Sequence, residues 1–136
     1  MKLVNIVRKP EHVAMLKQQG ATYVVDSSAP TYMADLRAAI AETGAYLGFD
    51  PIGGGQASDS VLKAMEQVAS SQMGEFSRYG SIQHKKMYIY GRLELAPTIL
   101  TPSYGLDWSI AGWLLTPFLQ RAGMETVVRM RQRVQA

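Results

Sequence analysis

Few groups in this 136-residue chain are suited to covalent chemistry. There is no cysteine, which excludes disulfides, thiolate metal sites and a cysteine nucleophile. The two histidines, His12 and His84, lie far apart and outside metal-ligand spacing, and no Ser-His-Asp set is apparent. Both read as surface residues, so no catalytic residue and no metal ligand is assigned. Three turns remain: Arg8-Lys9, the run Asp50-Pro51-Ile52-Gly53-Gly54-Gly55, and Tyr90-Gly91-Arg92. Glycines let backbone N–H groups approach an anion at a helix N-terminus, which gives Gly53–Gly55 a phosphate-loop reading. The run lacks the third glycine of G-x-G-x-x-G, and no acidic residue ends a strand about 20 residues later, so a flexible turn fits as well. Asp50 ends an apolar stretch where catalytic carboxylates occur, but Pro51 beside it suits a structural turn equally.

These turns need elements to position them. Leu3–Val7 is a β-branched run and reads as a strand. Pro10 suits a first helical position, and Gly20 can stop that helix. Thr22–Val25 is a second strand. Ser27 or Ser28 can cap the next helix, whose apolar face is Met33, Leu36 and Ile40, with Gly44 as its stop. Tyr46–Phe49 is a third strand. A helix after Gly55 carries Val61, Met65 and Val68, with Leu62 and Ala69 beside them. Met87–Tyr90 is a fourth strand stopped by Gly91. A loop with Pro97 and Pro102 follows, then a fifth strand at Ser109–Trp113. Thr116-Pro117 reads as a cap and first helical position, and the helical tail bends near Gly123. Alternating strands and helices predict an α/β fold, a doubly wound parallel sheet in three layers. Ligands of such sheets bind beyond the carboxyl ends of the strands, where all three turns fall.

Composition agrees. Hydrophobic residues make up 47% and charged residues 18%, which excludes a disordered chain. The longest apolar run, Ile110–Leu115, is far short of the roughly 20 residues that span a bilayer. No signal-peptide pattern opens the chain, and the expected compartment is the cytoplasm. The net charge of +3 is mild. Arg129, Arg131 and Arg133 are the nearest thing to a basic stripe, and they read as a solvated last helical turn rather than a nucleic-acid surface.

The ordered series Val4-Asn5-Ile6-Val7-Arg8-Lys9-Pro10-Glu11, Leu16, Gly20-Ala21, Val24-Val25, Phe49-Asp50-Pro51-Ile52-Gly53-Gly54-Gly55, Tyr88-Ile89-Tyr90-Gly91 and Gly112-Trp113-Leu114-Leu115 resembles the medium-chain dehydrogenase/reductase superfamily. The likeness is to the later part of the coenzyme domain in its zinc-type alcohol dehydrogenase-like and quinone reductase-like members. The resemblance implies residues 1–136 as a single partial NAD(P)-binding Rossmann domain, lacking the first strand and its glycine-rich loop. It implies a fragment of an oxidoreductase that transfers hydride between nicotinamide and a carbonyl, quinone or enone, and that is inactive alone. It places Arg8 and Lys9 at the adenosine ribose, with NADP preferred to NAD because a guanidinium favours the 2′-phosphate. It places Asp50, Ile52, Gly53, Tyr90, Gly91 and Arg92 near the nicotinamide, Trp113 and Leu114 near the nicotinamide or the substrate mouth, and no metal in the chain. With the central strand missing, Leu3–Val7 is expected to pair directly with Tyr46–Phe49 or to be completed by a second chain. The family commonly joins coenzyme domains edge to edge, which makes Ser109–Trp113 a candidate dimer edge. The rival reading is a non-catalytic α/β module that self-associates through sheet edges.

Overall fold

The computed structural model describes residues 1–136. In chain order its elements are β1 (Val4–Val7), α1 (Pro10–Gln18), β2 (Tyr23–Asp26), α2 (Tyr32–Thr43), β3 (Leu47–Asp50), β4 (Gly53–Gly55), α3 (Ala57–Ser71), β5 (Lys85–Ile89), β6 (Glu94–Thr98), β7 (Trp108–Gly112), α4 (Leu115–Ala122) and α5 (Met124–Gln135). All strand pairing is parallel, in three separate pieces: β1–β2, β3–β5–β7 and β4–β6. This is a partial Rossmann-like α/β fold. Helix α1 packs on β1 and β2, α2 packs on the same two strands and on α3, and α3 packs on β3, β4 and β5.

The core lies under α2 and α3. Leu36 and Ile40 of α2 meet Val61, Leu62, Met65 and Val68 of α3, with Val25 of β2 and Met87 of β5. Their spacing of three and four is the apolar stripe the sequence predicts. Burying each such side chain contributes about 1.5–3 kcal/mol. Gly48 of β3 faces this core, where a Cβ would require the flexible end of the Met87 side chain to move. Gly44 ends α2 in the left-handed conformation, its N–H bonding to Ile40 O.

The structure corrects several expectations. β1 does not pair with β3: β1 bonds only to β2, and β3 only to β5. Gly53–Gly55 is neither a flexible turn nor a phosphate loop but the short strand β4. Its partner β6 includes Pro97, in what the sequence suggests is a loop. Proline is tolerated there because β6 is an edge strand. Gly54 is required by this close pairing, since a Cβ would collide with Ala96 O. Ser27 and Ser28 do not cap α2; Thr31 is its N-cap, while Ser28 donates its N–H and hydroxyl to Asp26 Oδ1 at 2.8 and 2.6 Å. Helix α4 starts at Leu115, ahead of Thr116-Pro117. Strand β5 begins at Lys85, two residues before the apolar run.

Lys85 is fully buried, and its charge is met inside the fold. Its Nζ lies 2.8 Å from Glu66 Oε2 and donates to Gln83 O at 2.6 Å. Glu66 also accepts from Ser70 Oγ, Ser81 N and Ser81 Oγ at 2.6–2.7 Å. In the first turn of the same helix, Asp59 accepts the Tyr104 hydroxyl and the Thr101 N–H and pairs with Lys63 at 3.1 Å. Helix α3 thus holds the connection before β5 and the connection before β7 through two buried carboxylates. Burial and the Asp59 hydrogen bond push the Tyr104 phenol up to about 12. A cavity of about 440 Å³ beside this clamp, lined by Glu66, Arg78, Tyr79, Tyr104 and Trp108 among others, sits at the amino ends of β5 and β7, away from the carboxyl-end turns.

Candidate functional site

Parallel pairing brings the carboxyl ends of β3, β5 and β7 to one edge, with Asp50 opposite Ile89 and Ile89 opposite Gly112. The turns that leave these ends are tied together by backbone hydrogen bonds. Tyr90 N–H donates to Asp50 O at 3.0 Å, Leu93 N–H to Pro51 O at 3.3 Å, Glu94 N–H to Ile52 O at 3.0 Å and Trp113 N–H to Ile89 O at 2.9 Å. Gly91 and Gly53 permit the approach: a Cβ on Gly91 would collide with Pro51 O, and one on Gly53 would stand 2.6 Å from Gly91 O. Gly53 has φ +79°, a conformation glycine adopts without strain.

Asp50 organises this edge. It is 3% exposed, and its carboxylate accepts Ile52 N–H at 2.7 Å, Gly53 N–H at 3.2 Å and the Ser58 hydroxyl at 2.7 Å. It therefore joins the end of β3 to the first turn of α3. All its close contacts are structural, so Asp50 acts as a positioning residue. Burial, and behind it the Asp50 charge, raise the Tyr32 phenol above its ordinary value.

Six of the residues singled out from the sequence thus converge: Asp50, Ile52, Gly53, Tyr90, Gly91 and Arg92. Trp113 and Leu114 follow β7 at the same edge, with the Trp113 ring 5.5 Å from that of Phe118. Tyr90 and Leu114 are exposed, Trp113 is half-buried, and Gly112 has open space where a Cβ would be. The edge therefore offers aromatic surface and accessible backbone. Arg8 and Lys9 do not join this cluster. They end β1 in the separate two-stranded sheet, exposed and without an ion pair, with Lys9 as the N-cap of α1. No three His, Asp or Glu side chains converge to hold a metal ion, and no helix is long and apolar enough to cross a membrane.

Sequence reasoning missed Ser58 and β6. The signal for Ser58 was a hydroxyl one residue inside α3, eight positions after a strand-ending aspartate. Nothing local announced β6, which reads as a proline-containing loop.

No protein-family model matches this chain, and no curated protein matches it. Among solved structures, the chain is similar to a Mesorhizobium loti protein assigned as an NADPH:quinone reductase. The two share 22% sequence identity at a TM-score of 0.66, over 89% of this chain. At that identity the likeness shows the fold. The chain spans 31% of the length of the reductase chain.

Proposed function

We propose that residues 1–136 form a single partial nicotinamide-dinucleotide domain of the medium-chain dehydrogenase/reductase superfamily, from an oxidoreductase acting on a carbonyl, quinone or enone. The observation that carries this reading is the convergence of the Asp50–Gly53, Tyr90–Arg92 and Trp113–Leu114 segments at the carboxyl edge of a parallel sheet, where ligands of this architecture bind. The NADPH:quinone reductase of similar fold supports the same reading.

The residues fit one end of the cofactor. Tyr90, Trp113 and Leu114 offer a flat apolar surface to the nicotinamide, and backbone groups around Gly91 and Gly112 can orient its amide. Arg8 and Lys9, cations without partners, suit the ribose 2′-phosphate of NADP. The pyrophosphate has no cradle in this chain, because the backbone of Gly53–Gly55 is engaged with β6. NADP when bound supplies the hydride chemistry, and the protein orients it. Asp50 keeps the ring-facing turns in place. Without a cradle, the chain alone is catalytically inactive on this reading.

Titration with NADPH and, separately, NADH, followed by the fluorescence of Trp108 and Trp113, tests the reading. NADPH is expected to bind about tenfold or more tighter, the equivalent of one charge-assisted phosphate contact, and Arg8→Ala to erase the difference. Equal affinities in the parent chain would remove the role of Arg8. No binding of either nucleotide by a cooperatively folded chain would remove the cofactor reading.

A second reading, self-association through β7, rests on that strand's outer edge. Lys85 N–H bonds Asp107 O and Trp113 N–H bonds Ile89 O, so the backbone groups of Trp108, Ile110 and Gly112 point away from β5. The strand Trp-Ser-Ile-Ala-Gly carries neither charge nor proline to blunt that edge. Sedimentation is expected to find a dimer that Ser109→Lys converts to monomer. A parent chain that sediments as a monomer at high concentration rejects it.

A further inference from the structure

We propose that the cavity at the amino ends of β5 and β7 is a binding site for a planar aromatic monocarboxylate. Its volume of about 440 Å³ falls within the range of small-molecule sites. Two connections wall it. The one from α3 to β5 carries Ser77, Arg78 and Tyr79, and the one before β7 carries Ser103 and Tyr104. Gly80 and Gly105 bring the connections together over Glu66. Both have positive φ, a Cβ on Gly80 would stand 2.8 Å from Gly105 Cα, and one on Gly105 would collide with the Glu66 carboxylate.

The bonds already made inside the cavity wall set the charge of the ligand. Glu66 accepts from Lys85 Nζ, Ser70 Oγ, Ser81 N and Ser81 Oγ, which fills the roughly four lone-pair positions of a carboxylate. It has no capacity left to hold a cation. Ser70 spends its hydroxyl proton on Glu66, Ser103 on Thr101 O at 3.3 Å, and Tyr104 on Asp59. The Ser77 hydroxyl only accepts, from Tyr79 N–H at 3.3 Å, and keeps its own proton to donate. Arg78 is exposed and enters no ion pair. Lys85 cancels Glu66, so Arg78 is the one unpaired charge in the lining. A single guanidinium with its planar fork matches one carboxylate.

Aromatic rings select the rest of the ligand. Tyr79, Tyr104 and Trp108 all line the cavity. The Tyr104 and Trp108 rings stand edge to face, 4.9 Å between centroids at 88°. Tyr104 is buried and its hydroxyl is tied to Asp59, so its ring is a fixed wall. Tyr79 is 70% exposed, which leaves its ring free to pack on a bound molecule. A flat ring gains offset and edge-to-face contacts with such walls that an aliphatic ring does not. The site lies at the opposite end of β5 from Tyr90 and Gly91, and this inference does not rest on the cofactor reading.

Titration of the 1–136 chain with 2-naphthoate, followed by amide NMR shifts, tests it. The controls are naphthalene-2-carboxamide, which keeps the ring and loses the charge, and cyclohexanecarboxylate, which keeps the charge and loses the aromatic ring. 2-Naphthoate is expected to bind saturably and to shift Gly80, Gly105 and Trp108 while leaving Gly91 and Gly112 in place. Each control is expected to bind about tenfold or more weaker. Arg78→Met keeps the length of the stem without its charge and is expected to weaken 2-naphthoate binding by a similar factor. The same variant is expected to melt at the parent temperature, since Arg78 is exposed and holds nothing in the fold. Four results would overturn the proposal: no saturable shifts with 2-naphthoate, equal binding of the carboxamide or of cyclohexanecarboxylate, parent-like binding by Arg78→Met, or shifts centred on Gly91 and Gly112.

Discussion

Glu66→Ala is expected to lower the unfolding free energy by about 3–5 kcal/mol, the range for removing one partner of a buried ion pair. The reason lies in what is left behind. Lys85 Nζ, with no exposed surface, would keep only Gln83 O and a distant Ser81 hydroxyl at 3.4 Å. The Ser81 N–H would lose its acceptor in a buried position. Gly80 and Gly105, which close over the carboxylate, would border a void. Urea denaturation of the parent chain, Glu66→Ala and the double variant Glu66→Leu with Lys85→Met measures the effect. The double variant is expected to recover much of the loss, since an apolar pair of similar volume removes both desolvation costs. A single variant within about 1 kcal/mol of the parent would mean the clamp contributes little.

The same clamp gives an acid dependence of known sign. Burial by itself raises the Glu66 and Asp59 carboxyls, but the hydrogen bonds outweigh it. Lys85, Ser70 and Ser81 hold Glu66 below its ordinary value, and Tyr104, Thr101 and Lys63 hold Asp59 below its own. A depressed carboxyl contributes stability that is fully present above its unfolded value and is lost as pH falls through its folded value. The parent chain should therefore lose stability on acidification below about pH 4, and Glu66→Ala should show a flatter acid limb.

Asp50→Ala is expected to cost about 3 kcal/mol and to abolish nucleotide affinity together. Each charge-assisted hydrogen bond contributes about 1.5–3 kcal/mol, and Asp50 accepts three, though such losses are not additive. With the carboxylate gone, the Ile52 and Gly53 N–H groups and the Ser58 hydroxyl lose their acceptor beneath the turn that carries Tyr90 and Arg92. Ser58→Ala removes one of the three bonds and should cost about 1 kcal/mol while leaving the turn in place. Denaturation and the NADPH titration on the same samples separate the two effects. Nucleotide affinity that survives Asp50→Ala would place the binding surface elsewhere.

Much of the fold was legible along the chain because its elements obey local rules. The apolar stripes of α2 and α3, Pro10 at a helix start, and Gly44 and Gly123 at helix limits act through their own backbone or nearest turn. So did part of the site: Asp50 and Gly91 stand where strand patterns stop. The burial of Lys85 was not legible, because its partner Glu66 is 19 residues away and no local pattern pairs them. Gly53–Gly55 was misread because glycine-rich turns and glycine strands look alike until the partner is known, and that partner, β6, begins 39 residues beyond.

By itself the sequence determined the alternation of strands and helices, the apolar faces and the positions of the carboxyl-end turns. These depend on periodicity and on the conformational limits of glycine and proline, which neighbours within a few residues express. Only the tertiary structure decided which strands pair, that β1 and β3 stay apart, that Gly53–Gly55 is engaged with β6, and that Lys85 is buried against Glu66. Those outcomes depend on hydrogen bonds and charges between residues distant in the chain, and parallel pairing carries no turn signal that would reveal its partner in advance.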